Sequence, residues 1–177
     1  MVSITCKVVM CGDYSVGKTT FVKQFLGGDV MEGYKPTVGV DIGRKAFDIN
    51  SDEVTFQIWD LSGQETFSLI RKQFYGNSNG GILIYDISRR ETYDNILNWT
   101  DEMLEQTGKI PIVLVANKID LKDQIEDTVA ASEGKSLSEI ISSQTAIETP
   151  FVEASALYQK NNLEPFYHLA RTILSRR

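Results

Sequence analysis

Eight consecutive residues carry the clearest chemistry in the chain: Gly12-Asp13-Tyr14-Ser15-Val16-Gly17-Lys18-Thr19, a glycine, four residues, then Gly-Lys-Thr. Glycines let a backbone curl until successive N–H groups point into one concavity, and a helix that starts there adds its positive N-terminal end. Such a nest suits phosphate oxygens. Lys18 supplies a mobile point charge for β- and γ-phosphates, and the Thr19 hydroxyl is a hard oxygen ligand suited to Mg²⁺. The flanks agree with this reading. The apolar run from Ile4 to Cys11 comes immediately before, and a helix-like run from Thr20 to Leu26 follows, with Thr20 counted in the cradle. That strand–loop–helix setting separates a phosphate-binding loop from a glycine turn that binds nothing.

More polar clusters follow apolar runs. After Trp59 comes Asp60-Leu61-Ser62-Gly63-Gln64-Glu65. An aspartate closing an apolar strand can hold Mg²⁺, directly or through water. Gly63 allows a backbone N–H to approach a γ-phosphate closely, and Gln64 can orient an attacking water. After Ala116 comes Asn117-Lys118-Ile119-Asp120. The Asp120 carboxylate can accept two hydrogen bonds from the N1–H and exocyclic amine of guanine, a paired donor edge that adenine lacks. Lys118 can lay its stem over the base plane. In the first exposed loop, Tyr34-Lys35-Pro36-Thr37 offers a threonine hydroxyl for Mg²⁺ and a backbone N–H for the γ-phosphate. After the last strand, Ser155-Ala156 can offer a backbone N–H to guanine O6. Taken singly, these clusters also read as a helix-capping Asp, an Asx turn and an ordinary Pro-containing turn.

These residues need a frame that brings distant loops together. Val40–Ile49 and Val54–Trp59 read as strands joined by the turn Asn50-Ser51-Asp52. Gly80–Asp86 and Ile110–Ala116 are short continuous apolar runs of the buried parallel-strand type, with Pro111 at the first residues of the second. Gly27-Gly28 stops the first helix. Thr92–Gln106 has near-helical spacing, and Phe151–Ala154 is a last short strand. Leu163, Phe166, Tyr167, Ala170, Ile173 and Leu174 trace one face of a closing helix, with Pro165 in its first turn. Alternating strands and helices predict a three-layer α/β domain with a mostly parallel sheet. In such sheets ligands bind beyond the carboxyl ends of the strands, where the polar clusters lie.

With 177 residues and no repeat or linker, the chain is expected to form one domain, residues 1–177. Its 42% hydrophobic and 24% charged residues are ordinary for a soluble globular protein. The net charge of -6 argues against a nucleic-acid partner held by phosphate contacts. No apolar run approaches a membrane span. Met1-Val2-Ser3 opens almost directly into the first strand, so no signal peptide and no myristoylation are expected. Cys6 and Cys11 fall on opposite faces of a regular strand and are expected to stay reduced, as in a cytosolic chain. His168, the single histidine, is expected to be packing or surface.

Over nearly its whole length the chain resembles the Ras-superfamily small GTPases. The matching residues are Gly12 to Thr19, Thr37, Asp60 to Gln64, Asn117 to Asp120 and Ser155-Ala156. Thr37-Val38-Gly39-Val40-Asp41 and Phe56-Gln57-Ile58-Trp59-Asp60 are most similar to the Rab branch. The resemblance implies a P-loop NTPase fold, a Ras-like G domain. Its sheet has six strands with one antiparallel edge strand, flanked by about five helices. It implies a switch that binds GTP with Mg²⁺, hydrolyses it to GDP, and meets effectors, an exchange factor and a GTPase-activating protein. By the same resemblance Gln64, Lys18 and Thr37 are the catalytic group, Tyr34 a nucleotide contact, and Thr19, Thr37 and Asp60 the metal ligands. A Rab-like regulator of trafficking or signalling would be cytoplasmic, and peripheral to membranes if its tail is lipidated.

The chain departs from the family in several places. Tyr14 stands where a small residue is usual, and a phenol there can crowd Gln64 or an incoming arginine. Val30 takes the place of an aromatic that usually covers the guanine edge, and Leu61-Ser62 replaces Thr-Ala. The stretch from Leu121 to Pro150 is longer than usual, so Ala131–Ile141 is expected to be an enlarged helix or an insert. Ser175-Arg176-Arg177 carries no cysteine for prenylation, which suits a shortened chain or a member without that anchor. Two other functions are weighed against the GTPase. One is a guanine-nucleotide-binding scaffold with little or no hydrolysis, motivated by Tyr14. The other is a P-loop kinase or ATPase, which would usually carry lid arginines and lack Asn117–Asp120.

Overall fold

A computed structural model describes residues 3–28 and 39–176. The expectations for Tyr34, Thr37 and Val30 lie outside the described residues. β1 (Ser3–Cys11) runs into α1 (Lys18–Leu26). Gly27 ends α1 in the left-handed region, its N–H bonded back to Gln24 and Lys23 carbonyls, a glycine stop. β2 (Val40–Ile49) and β3 (Asp52–Leu61) form a hairpin. Its two-residue turn, Asn50-Ser51, has positive φ at both positions (51° and 85°), which matches the twist of the strands it joins.

After a 3₁₀ turn at Glu65–Phe67 come α2 (Ser68–Lys72) and β4 (Gly80–Asp86). α3 (Arg90–Asp94) and α4 (Ile96–Thr107) abut at Asn95 and act as one bent helix, so five helical units flank the sheet among the described residues. β5 (Ile112–Asn117), α5 (Ala131–Thr145), β6 (Phe151–Glu153) and α6 (Glu164–Ser175) complete the order.

The sheet order is β2-β3-β1-β4-β5-β6. Among the paired strands of the described residues, only β2–β3 is antiparallel. The chain leaves β1 toward β3 on one side and returns to β4 on the other. The end of β1 is therefore the switch point of the sheet, where a crevice opens between diverging loops. Every residue of β4 and β5 is buried, as their unbroken apolar runs predict.

One face of the sheet packs against α1 and α6 through Phe21, Phe25, Phe56, Phe166 and Leu169. There the Phe25 and Phe166 rings stack at 3.8 Å. The opposite face packs against α4 and α5 through Trp99, Met103, Leu137 and Ile141. Cys6 belongs to the first layer and Cys11 to the second, and neither forms a disulfide.

Two expectations are refined. Ala131–Thr145 is one 15-residue helix with Leu137 and Ile141 on the sheet, which decides between helix and insert. The apolar face of α6 is narrower than its sequence suggests. Phe166, Leu169 and Ala170 are buried, whereas Leu163 precedes the helix and is exposed. Tyr167 sits a third of a turn away from Phe166 and rests edge-on against Phe47 at the rim.

Candidate functional site

The loop between β1 and α1 curls as its glycines allow. Gly12 and Gly17 have φ of 142° and 105°, and Ser15 between them has 62°. A Cβ at Gly12 would lie 2.1 Å from the Ile84 carbonyl oxygen, so no larger residue fits against β4. Lys18 is 6% exposed. Its Nζ donates to the carbonyls of Gly12 (2.7 Å) and Asp13 (2.8 Å), folding the side chain back along the loop. Burial pushes its pKa down to about 8, against the opposing pull of Asp60. Val16 is core, and its carbonyl accepts from Asn117 Nδ2 at 2.8 Å.

Not every side chain of the loop faces the cradle. The Asp13 carboxylate accepts from Asn95 Nδ2 (2.8 Å) and Trp99 Nε1 (2.6 Å), so it is committed to α4 and leaves only its backbone to a phosphate. The Tyr14 carbonyl accepts from Arg89 Nη1 at 2.9 Å, and its side chain is exposed.

Asp60 is buried at the end of β3, and its Oδ2 accepts from Thr19 Oγ1 at 2.5 Å. A hydroxyl and a carboxylate are hard oxygen donors of the type a divalent cation takes, so the residues present fit Mg²⁺ by donor type. Gly63 lies against the phosphate loop. A Cβ there would stand 2.5 Å from the Gly12 oxygen, the Asp13 carbonyl carbon and the Tyr14 nitrogen. The next residue, Gln64, is half-buried.

A buried network fixes this second loop. Arg71, 2% exposed, donates from Nη1 to the carbonyls of Ser62 and Gln64, both at 3.0 Å. Its Nε and Nη2 form a forked pair with Glu102 at 2.8 and 3.0 Å, and its guanidinium stacks over the Trp99 ring. Tyr75 donates to Glu102 at 2.7 Å and accepts from the Cys11 thiol at 3.6 Å. Sequence reading missed Arg71, Glu102, Trp99 and Asn95. Arg71 and Glu102 are 31 residues apart and no local pattern links them.

Burial pushes the Glu102 carboxyl up, but hydrogen bonds from Arg71 and Tyr75 and the Arg71 charge outweigh it and hold it below the usual carboxylate range. A carboxyl depressed in the folded state stabilises above its unfolded value, 4.5, and loses that contribution as pH falls through the folded value. Glu102→Gln is therefore expected to cost about 2 kcal/mol at neutral pH. Its stability should also fall less steeply than wild type below pH about 4.5. Chemical denaturation at several pH values reads both, and parallel pH curves would remove Glu102 from the balance.

The residues expected to face guanine converge from two loops. Asn117, buried, ties the phosphate loop to the last loop: it donates to Val16 and accepts from the Ala156 N–H at 3.0 Å. Ser155 Oγ donates to Asp120 Oδ1 at 2.5 Å. Lys118 has φ of 67°, and its Nζ lies 2.7 Å from Asp86 Oδ2. So Asn117, Lys118, Asp120, Ser155 and Ala156 meet at one end of β5, beside the β1–α1 loop.

The chain has relatives among known proteins. Residues 7–175 match the model of the Ras family. The chain is 37% identical over 168 residues to the Ras-related protein RABA5a of Arabidopsis thaliana, covering 94% of this chain and 72% of that protein. It is 32% and 31% identical to the Ras and EF-hand domain-containing protein homologs of Caenorhabditis briggsae and Caenorhabditis elegans, over 97% of this chain. There it spans about a quarter (26%) of each relative's length. These relations support hydrolysis and do not favour a scaffold that only holds nucleotide. By the family match, the relative and the six-stranded sheet, the chain belongs to the Ras family as a Rab-like small GTP-binding GTPase.

Proposed function

We propose that residues 1–177 act as a single G domain whose GTPase cycle runs through the site above. The Gly12–Thr20 segment receives the phosphates through its backbone N–H groups, and Lys18 turns from the Gly12 and Asp13 carbonyls to the β- and γ-phosphate oxygens. Tyr34 and Thr37 remain the expected contacts of the first loop. Thr19, Thr37 and Asp60 would hold Mg²⁺, which when bound neutralises charge on the phosphates. Asp120 reads the guanine edge, Lys118 covers the base, and the Ala156 N–H beside Ser155 faces O6. Gln64 orients a water that attacks the γ-phosphorus in line. The bond to the bridging oxygen breaks, and GDP and inorganic phosphate leave.

One observation supports this reading most: Gly63, the residue before Gln64, sits against the Gly12–Tyr14 backbone with no room for a side chain. Gln64→Leu is expected to slow single-turnover GTP hydrolysis about 10²-fold, the low end of what a positioned proton-handling or water-orienting group contributes. An unchanged rate would take Gln64 out of the mechanism.

Family membership implies regulators and effectors in general. No arginine lies in Tyr34–Thr37 to act in cis, so an activating partner's arginine is expected to add roughly 10³–10⁵ in rate. Loss of the γ-phosphate releases the loops around Thr37 and Gly63 and ends effector binding. No described helix is long and apolar enough to cross a membrane. A cytoplasmic protein that works at membrane surfaces fits a Rab-like switch.

A further inference from the structure

We propose that Asp86 is a positioning residue for the guanine side of the site: its buried carboxylate holds the Lys118 ammonium and so fixes the stem that covers the base. The inference rests on the proposed role of Lys118. Asp86 closes β4, a strand unrelated to the guanine-side loops in sequence, and stands opposite Asn117 in the parallel register of β4 and β5. It is fully buried. Its Oδ1 accepts from the Ser88 N–H (2.9 Å) and the Ser88 hydroxyl (2.6 Å), and its Oδ2 faces Lys118 Nζ at 2.7 Å. The surrounding backbone is tied down. Ile87 N–H donates to the Asn117 carbonyl at 3.1 Å, and Thr92 Oγ1 accepts from the Asp86 N–H at 3.0 Å.

The chemistry explains why this pairing matters. A buried carboxylate needs a cation, and Lys118 alone among the recorded contacts brings a positive charge to it. A lysine has four flexible carbons, and ordering them on nucleotide binding opposes affinity. Anchoring the ammonium to Asp86 leaves the stem already ordered before the base arrives. The left-handed backbone of Lys118 directs the chain so that Asp120 can follow into its own bond with Ser155. One carboxylate from β4 thus sets the posture of a residue supplied by the loop after β5.

The test is a cycle of variants read by the release of a fluorescent N-methylanthraniloyl GDP from the full chain. Asp86→Asn keeps the shape and deletes the charge. Lys118→Met keeps the stem and deletes the ammonium. Each is expected to raise the release rate about tenfold, the middle of the range for residues in direct contact. Because both act through one pair, the double variant should release no more than about twice as fast as either alone. Lys118→Ala, which removes the stem as well, should release faster than Lys118→Met.

Thermal unfolding gives a second readout. Lys118→Met leaves the Asp86 charge unpaired, so adding Asp86→Asn to it should raise Tm. If Asp86→Asn and Lys118→Met multiply their effects, or leave release unchanged while Lys118→Ala accelerates it, Asp86 is only structural and the inference is wrong. If Lys118→Ala has no effect, Lys118 does not cover the base, and the inference falls with that reading.

Discussion

Asp120→Ala is expected to collapse the preference for guanine over adenine nucleotides from roughly 10⁴–10⁵ to about tenfold, the largest change any single side chain here should produce. The size follows from complementarity. A site built to hydrogen-bond a substrate edge leaves its own buried polar groups unpaired when the wrong ligand enters, and that penalty, more than the attraction to the right ligand, sets the discrimination. Asp120 is already oriented, since Ser155 Oγ donates to its Oδ1. One carboxylate oxygen therefore has its direction set before a base arrives, and little ordering remains. Without the carboxylate, both purines meet the same backbone and the same Lys118 stem. Competition of GTP against ATP for the purified protein measures the effect. A variant that still rejects ATP by more than about 10³ would move guanine recognition away from Asp120.

The fold was open to reading from the sequence because its signals are local. β4 and β5 are unbroken apolar runs, and the eight residues from Gly12 to Thr19 are contiguous. The cradle, Asp60, Gly63 and the Asn117–Asp120 cluster could be proposed because each lies at or just after the end of a strand, and a parallel sheet gathers strand ends at one edge. What escaped notice is made by packing across long separations. Asp13 reads as a cradle residue, yet its carboxylate is taken by Trp99, 86 positions away. Arg71 reads as one cation on a short helix. Only the approach of α2 to α4 buries it, stacks it on Trp99 and aims it at the Ser62 and Gln64 carbonyls. Likewise Tyr167 shares the apolar spacing of α6, but it lies at the rim against Phe47 and stays exposed.

These long-range contacts share a physical purpose. The phosphate loop is held from behind by Asn95 and Trp99 through Asp13, and by Arg89 through the Tyr14 carbonyl. The second loop is held by Arg71, which leans on the same Trp99. The bent α3–α4 unit thus supports both loops from one rigid body, so catalytic geometry does not depend on loop propensity alone. The same arrangement explains how Tyr14 is accommodated: its backbone is tied to Arg89 while its side chain stays on the exposed rim.

Lys18→Ala should separate binding from folding more cleanly than any other substitution. Burial has pushed the Lys18 pKa down to about 8, so the folded chain holds this ammonium at a desolvation cost. The Gly12 and Asp13 carbonyls offset that cost in part by accepting from it. Deleting the side chain relieves one term and removes the other. The net change in stability without nucleotide is therefore expected to stay within about 1.5 kcal/mol. Binding has no such compensation. The phosphates lose a charge-assisted donor, which should weaken GTP by roughly 10²–10⁴-fold. Lys18→Arg should not restore it. The planar guanidinium needs room for a fork, and the cradle is walled by Gly12, which already touches the β4 backbone. Calorimetric titration with GTP beside denaturation of the nucleotide-free protein gives both quantities. If stability falls by more than about 3 kcal/mol while GTP still binds within tenfold of wild type, Lys18 is a clip for the loop rather than a hand for the phosphates.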